Sequence, residues 1–240
     1  MTDSATAGPV AVETLDSRDE RGVSRFYRRI LAPHFRPGEL GSEEDIVAGL
    51  RDGSATALVA RTEDGELVGG SVCEWFPRSR VLLLSYIAVL PGHRSQGVGT
   101  RILEAGLRSW TAGFSPALIV AEVEDPRHYD DDTAFGDPVR RVRLYERIGA
   151  RVLPLPYFQP ALAPGQERVR HLMLMVLGGS AAPAGAREVD GRVVERFLAE
   201  YLEAAEGVAR PADPEARQLL AACRQPGGLP LLPVSMLPPG

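Results

Sequence analysis

Val81-Leu82-Leu83-Leu84-Ser85-Tyr86-Ile87-Ala88-Val89-Leu90 runs into Pro91-Gly92-His93-Arg94-Ser95-Gln96-Gly97-Val98-Gly99-Thr100. The first ten residues read as a buried strand, stopped by Pro91-Gly92. Beyond the glycines, Val98, Ile102, Leu103, Leu107 and Trp110 recur at helical spacing as a core-facing stripe. A strand end, a loop of small residues and a helix start therefore follow one another. Such a place binds phosphate, because the first amides of a helix are unpaired and its dipole is positive there. Glycines at 97 and 99 let the backbone approach a diphosphate closely. Taken alone, Gly-x-Gly describes a tight strand-to-helix turn equally well. A dinucleotide fingerprint would need a third glycine where Ile102 stands, and a Walker loop would need Gly-Lys-Ser/Thr where the chain has Gly99-Thr100-Arg101. Neither motif fits.

Working outward, strand and helix signals alternate. Toward the N-terminus stand a short apolar segment Val10 to Leu15 and a helical pattern through Phe26, Ile30 and Leu31, which Pro33 should end. A second helix starts at Ser42 as N-cap, with Glu43, Glu44 and Asp45 in its first turn and Ile46, Val47 and Leu50 on its apolar side. Thr56 to Arg61 and Leu67 to Phe76 flank an Asp64-Gly65 turn and read as an antiparallel pair. Toward the C-terminus come a strand at Ala117 to Val123, a polar stretch from Glu124 to Gly136 and a helix opened by Asp137-Pro138. Val142, Tyr145 and Ile148 should face inward on that helix. Arg151 to Pro156 and Val169 to Leu177 read as the last two strands.

The loop carries Arg94, Gly97 and Gly99 in the pattern Arg/Gln-x-x-Gly-x-Gly/Ala, after Ile87-Ala88-Val89 and Pro91. The segment Leu144-Tyr145-Glu146-Arg147-Ile148-Gly149-Ala150 is similar to an L-Y-E-x-x-G-F signature, with Ala150 in place of the usual Phe. On these two motifs the chain resembles the GCN5-related N-acetyltransferase (GNAT) superfamily from about Val10 to Leu177. The resemblance implies an α/β (α+β) fold, a mixed, twisted central sheet flanked by helices. Its fourth and fifth strands would splay to admit the pantetheine arm of acetyl-CoA, the cosubstrate. Ile87, Ala88 and Val89 would offer that arm backbone hydrogen bonds. Gln96, Gly97, Val98, Gly99 and Thr100, beside Ser95, would hold the pyrophosphate by their amides, with Arg94 near a phosphate oxygen. The alternative for Arg94 is a surface arginine, which its position within the motif disfavours.

Acetyl transfer needs a neutral amine. With a pKa of about 10.4, only about one alkyl amine in a thousand is neutral near pH 7.4, so a base is useful. Some superfamily members use a Glu on the fifth strand in an L-E-V setting, and Ala121-Glu122-Val123 is the similar segment. Glu122 is thus the first candidate base. Glu124, two residues on, should share its strand face and bind the cationic substrate or share the role, unless both acids only solvate a sheet edge. Tyr145 is by motif the proton donor to the departing thiolate, a phenol being protonated at neutral pH; the alternative is a buried Tyr bonded to a carbonyl. A backbone N–H near Val89 would stabilise the oxyanion. The run Asp130-Asp131-Asp132 suits a cationic acceptor, as a solvated charge run also would, and Tyr157-Phe158 could wall the acceptor pocket or fill core. No metal is expected.

Two hundred and forty residues, 44% hydrophobic and 25% charged, can bury a real core. A net charge of -5 argues against nucleic-acid or membrane partners. No apolar run reaches the roughly 18 to 20 residues of a bilayer span, and Met1 to Val10 lacks a secretory signal, so a cytoplasmic place is expected. Cys73 and Cys223 read as buried thiols. All 27 basic residues are Arg. Residues 1–178 are expected to form the acetyl-CoA-binding catalytic domain, and 179–240 a small-residue linker at Gly178 to Gly185, a C-terminal amphipathic helix and a Pro-rich tail, extended or disordered from Gln225. The helix stripe Val189, Val193, Phe197, Tyr201 and Ala205, with Val194, Leu198 and Leu202 beside it, needs cover. A homodimer contact is expected to supply it, the chain's own domain being the alternative. The expected activity is transfer of acetyl to a primary amine of a small molecule by direct attack on the thioester. Protein N-terminal or lysine acetylation, or a non-catalytic acyl-CoA-binding module, are the alternatives.

Overall fold

A computed structural model describes residues 10–36, 38–129, 136–207 and 213–237. Strands β1 (Val10–Thr14), β2 (Ala55–Thr62), β3 (Leu67–Phe76), β4 (Val81–Val89), β5 (Leu118–Glu124), β7 (Leu172–Gly178) and β6 (Arg151–Val152) form one sheet in that spatial order. All neighbours are antiparallel except β4 and β5, which are parallel. Helices α1 (Glu20–Phe26), α2 (Glu43–Asp52), α3 (Val98–Phe114), α4 (Pro138–Arg147), α5 (Gly191–Glu206) and α6 (Pro214–Ala222) flank it, and α1 runs on into a π-helical turn, Tyr27–Leu31. This is the mixed, helix-flanked sheet expected. The sequence sets five of these six helix starts: Asp19, Ser42, Asp137, Asp190 and Asp213 accept hydrogen bonds from first-turn amides.

Alternation along the strands sends side chains to two cores. On one face Leu82, Leu84, Ile119, Ala121, Val123, Met173 and Met175 pack with Leu103 and Trp110 of α3 and Val142 and Tyr145 of α4. The other face is divided. Its first half, Val59, Val72, Tyr86 and Ala88, takes α1, the π-turn and α2. The second half, Leu83, Val120, Leu174 and Val176, takes α5 and α6. Where the halves meet, the strands carry polar side chains instead, Glu74, Ser85 and Glu122.

Several expectations change toward the C-terminus. The strand expected over Arg151 to Pro156 stops at Val152, because Pro154 and Pro156 have no N–H for a ladder. Strand β7 begins at Leu172, while Val169 only bridges Gln159. The linker is anchored, the amides of Ser180 and Ala181 donating to the carbonyls of Pro116 and Ala117 at 3.0 and 2.9 Å. Val189 falls before the Asp190 cap and joins β8 (Glu188–Val189), so the buried stripe of α5 is Val194, Phe197, Leu198, Tyr201 and Leu202. Their apolar face is covered by the chain's own sheet, which removes the reason for the expected homodimer contact. Nor is the tail free from Gln225: Leu229–Pro230 (β9) pairs with β8, and Leu232 bridges Val152. Asp130, Asp131 and Asp132 lie outside the described residues. Both cysteines are buried free thiols. Among the described residues no helix is long and apolar enough to cross a membrane.

Candidate active site

Strands β4 and β5 pair only from Val81 with Leu118 to Leu84 with Ala121. Past that point β4 stays with β3 and β5 with β7, so the edge of β4 from Ser85 to Val89 that faces β5 has no strand partner among the described residues. The register of β3 skips Ser85, passing from Leu84 opposite Cys73 to Tyr86 opposite Val72. A bulge of this kind bends a strand and increases its twist, which helps to part β4 from β5. The splay is the one the sequence resemblance implies.

A cleft of about 920 Å³ opens along that edge, lined by Ile87, Ala88, Val89, Arg94, Ser95, Gly97, Val98, Gly99 and Thr100. Gly97 caps α3 with φ +80°, a conformation that favours glycine, and no side chain caps the helix. Its opening amides thus remain available to an anion. Gln96 does not line the cleft; its side chain donates to the Gly92 carbonyl at 3.0 Å. Arg94 donates through Nε to the Val89 carbonyl at 3.1 Å, and no described carboxylate pairs with it. Burial, and then the neighbouring Arg141 charge, pull its guanidinium below the ordinary value. A guanidinium remains charged despite such a shift.

Helix α4 adds Arg140, Arg141, Arg143 and Arg147 to the same cleft. Among the described residues that line the cleft, five arginines stand against one carboxylate, Asp137, which makes this wall cationic. The sequence reading missed these four. Their Arg-Arg-x-Arg-x-x-x-Arg spacing on a helix opening toward the glycine loop was the available signal. The cleft thus has the amides, charge and room that a CoA diphosphate and phosphate require, which is the fit expected of a cosubstrate site.

A second cavity of about 60 Å³ adjoins the splay, lined by Ser85, Ile87, Glu122, Glu124, Tyr145 and Arg141, with His34, Phe35 and Glu39 from the segment before α2. Both candidate acids reach it, as alternation on β5 requires, but their surroundings differ. Glu124 is clamped at 2.5 Å by Arg36 Nη1 on one oxygen and at 2.5 Å by Arg141 Nη1 on the other. Glu122 has no cation partner among the described residues. Its Oε1 accepts from the hydroxyls of Tyr157 at 2.6 Å and Tyr201 at 3.3 Å. Burial, above all, with the Tyr157 hydrogen bond opposing and the nearby Glu74 adding, pushes its carboxyl up to about 8. Glu74, on β3, is itself raised by burial and accepts from Ser85 Oγ at 2.6 Å. Glu74 lies one strand over from β4, a neighbour that only register brings to the site.

Tyr145 is 2% exposed, lines the smaller cavity, and makes no hydrogen bond through its hydroxyl to any described residue. Burial raises its pKa, keeping the phenol protonated. The hydroxyl is not tied to a backbone carbonyl.

Residues 23–129 match the model of the acetyltransferase (GNAT) family. Among solved structures, a putative acetyltransferase from the GNAT family of Bacteroides thetaiotaomicron superposes with a TM-score of 0.53 at 22% identity, covering 70% of this chain and 87% of that one. IAA acetyltransferase from Bacillus cereus gives 0.46 at 15%, covering 70% and 99%. Spermidine N-acetyltransferase from Vibrio cholerae gives 0.47 at 15%, covering 70% and 94%. No curated protein matches the chain in sequence. Only the first superposition exceeds 0.5, and it bears on the fold. The family match ends before α4, so Tyr145 and the arginine wall rest on the geometry above. Residues 23–129 thus match the acetyltransferase (GNAT) family, and the splayed fourth and fifth strands and the fold shared with the first of these structures agree with that match.

Proposed function

We propose that the protein is an acetyl-CoA-dependent N-acetyltransferase acting on a primary amine of a small molecule. The observation that carries this reading is Glu122, a carboxyl with no cation partner among the described residues, poised near neutrality in a narrow cavity beside the parted strands. Acetyl-CoA, bound along the β4 edge, supplies an activated acetyl thioester. Arg94, the amides of Gly97 to Thr100 and the α4 arginines hold its phosphates. Glu122 takes up the ammonium proton, its pKa near 8 suiting both proton uptake and ionisation close to physiological pH. Tyr145 keeps a proton for the departing sulfur. Glu124 is already neutralised by two guanidiniums, which favours Glu122 over Glu124 as base and makes Glu124 a scaffold for Arg36 and Arg141.

Thiol release from acetyl-CoA across a panel of primary amines, and of peptides with free N-termini or lysines, tests the reading. Turnover with small amines, reduced about 100-fold or more by Glu122→Gln at pH 7 and partly restored at high pH, is expected. Turnover with peptides alone transfers the activity to proteins. Full activity of Glu122→Gln removes the base assignment.

A further inference from the structure

Helix α5 lies beyond the matched family residues and lines neither cavity, yet one of its side chains touches the candidate base. We propose that Tyr201 on α5 is a positioning residue of the acetyl-transfer site: with Tyr157, it fixes Glu122 Oε1 so that Oε2 is presented to the acceptor amine. The inference rests on Glu122 being the base.

The geometry is specific. Tyr201 is 4% exposed, its ring set against Phe76 at 5.4 Å and Phe197 at 5.8 Å between centroids. Tyr157, from the connection between β6 and β7, reaches the same carboxylate oxygen from another direction. Burial first, and then the Glu122 charge, hold both phenols well above their ordinary value, so each remains a donor throughout the neutral range. Two donors converge on Oε1, and no described residue donates to Oε2. That oxygen is left for the proton that must be removed. A freely rotating carboxyl would present either oxygen at random, whereas two fixed donors select one rotamer.

The two phenols are also held as one unit. Arg168, in the connection that carries Tyr157, pairs with Glu206 at the end of α5 at 2.7 Å and with Asp213 at the start of α6 at 2.8 Å. Its guanidinium also lies 4.4 Å over the Phe158 ring, next to Tyr157. The C-terminal helices thereby fix the connection that bears one donor while α5 bears the other.

The other titratable groups facing Glu122 are Glu74 from β3, Tyr86 from β4 and Glu39 from the segment before α2. His34, Glu124 and the Arg141 that pairs with it share the cavity, and Arg36 holds the far oxygen of Glu124. Tyr201→Phe alters none of these and keeps the ring in its aromatic packing. It removes a hydrogen bond that favours the ionised carboxyl, so the midpoint of Glu122 must rise.

The full-length chain, labelled with carboxyl-13C glutamate, is titrated by NMR, the Glu122 signal being the one absent in Glu122→Gln. Tyr201→Phe is expected to move that midpoint upward by about half a pH unit to one unit. Phe197→Leu, which disturbs the same packing without touching Glu122, should lower Tm and leave the midpoint in place. An unmoved midpoint in folded Tyr201→Phe protein overturns the role of Tyr201. A moved midpoint with unchanged acetyl transfer in Glu122→Gln overturns the base assignment and, with it, the link to catalysis. The two failures are read in different variants.

Discussion

Arg141 lines both cavities, and its Nη1 stands 2.5 Å from Glu124 Oε2 where they approach each other. One guanidinium therefore serves the cationic cosubstrate wall while being held in place by a nearly buried carboxylate. In the proposed reading the paired acid, Glu124, is structural, and Glu122, two residues away and with no cation partner among the described residues, is the base. Glu124→Gln should lower stability by about 2 kcal/mol, because it withdraws the charge that two partly buried guanidiniums share. It should also weaken acetyl-CoA binding by loosening Arg141. Denaturant titration and calorimetry measure these, and the acid limb of the rate profile should stay where Glu122 puts it. A lost limb in Glu124→Gln would give the base role to Glu124.

The pKa of Glu122 also fixes a stability trend. Its folded value, near 8, lies above that of an unfolded glutamate, so the folded state binds the extra proton. Its contribution is therefore fully present below about pH 4.5 and is lost as pH rises toward and through 8. Glu122→Gln should flatten that decline and be more stable than the parent at pH 9. Melting temperatures from pH 6 to 9 test the sign: a parent whose stability rises over this window relative to Glu122→Gln contradicts the raised pKa.

Acetyl-CoA should raise Tm, and Gly97→Glu should abolish the rise by placing a carboxylate in the phosphate cradle. Gly97 sits at φ +80°, so any side chain there carries backbone strain of about 1 kcal/mol. Gly97→Ala controls for this: a lower starting Tm with the ligand shift retained. An unaltered shift in folded Gly97→Glu protein would remove the cosubstrate from this loop.

The sequence made the strand, glycine loop and helix legible because each is encoded locally, in the Val81 to Leu90 run, the residues around Gly97 and the stripe from Val98 to Trp110. Caps at Ser42 and Asp137 were likewise readable from one side chain. What escaped was set by contacts distant along the chain. Glu74 enters the site through strand register, and Tyr201 through packing of a helix 79 residues beyond Glu122. The shift of the α5 stripe came from the Asp190 cap, which starts the helix only after Val189. Tail residues rich in Pro and Leu gave no periodicity, yet Leu229 and Leu232 found partners in β8 and β6.

Tyr145→Phe should lower kcat by about 100-fold and leave the acetyl-CoA Kd unchanged, since Tyr145 lines the smaller cavity and its hydroxyl bonds to no described residue. Its ring is buried among α4 and sheet residues, so the conservative change should preserve Tm. Equal kcat values for the two proteins would show that the departing sulfur takes its proton from water.

Cutting the chain after Gly178 gives the most stringent test of how α5 is used. An extension serving only as a dimer contact would leave a soluble catalytic monomer. In the fold, however, Val194, Phe197, Leu198, Tyr201 and Leu202 cover Phe76, Leu83, Val120 and Leu174 on one half of a sheet face. Burial of each such side chain contributes about 1.5 to 3 kcal/mol, on the order of 10 kcal/mol for the five. That is comparable with the entire net stability of a domain, about 5 to 15 kcal/mol. The truncated chain should therefore aggregate or lack a cooperative melting transition, and acetyl-CoA should not rescue it. Light scattering and thermal unfolding decide: a monodisperse, cooperatively unfolding product would mean that the sheet tolerates exposure of that face and that α5 is an appendage.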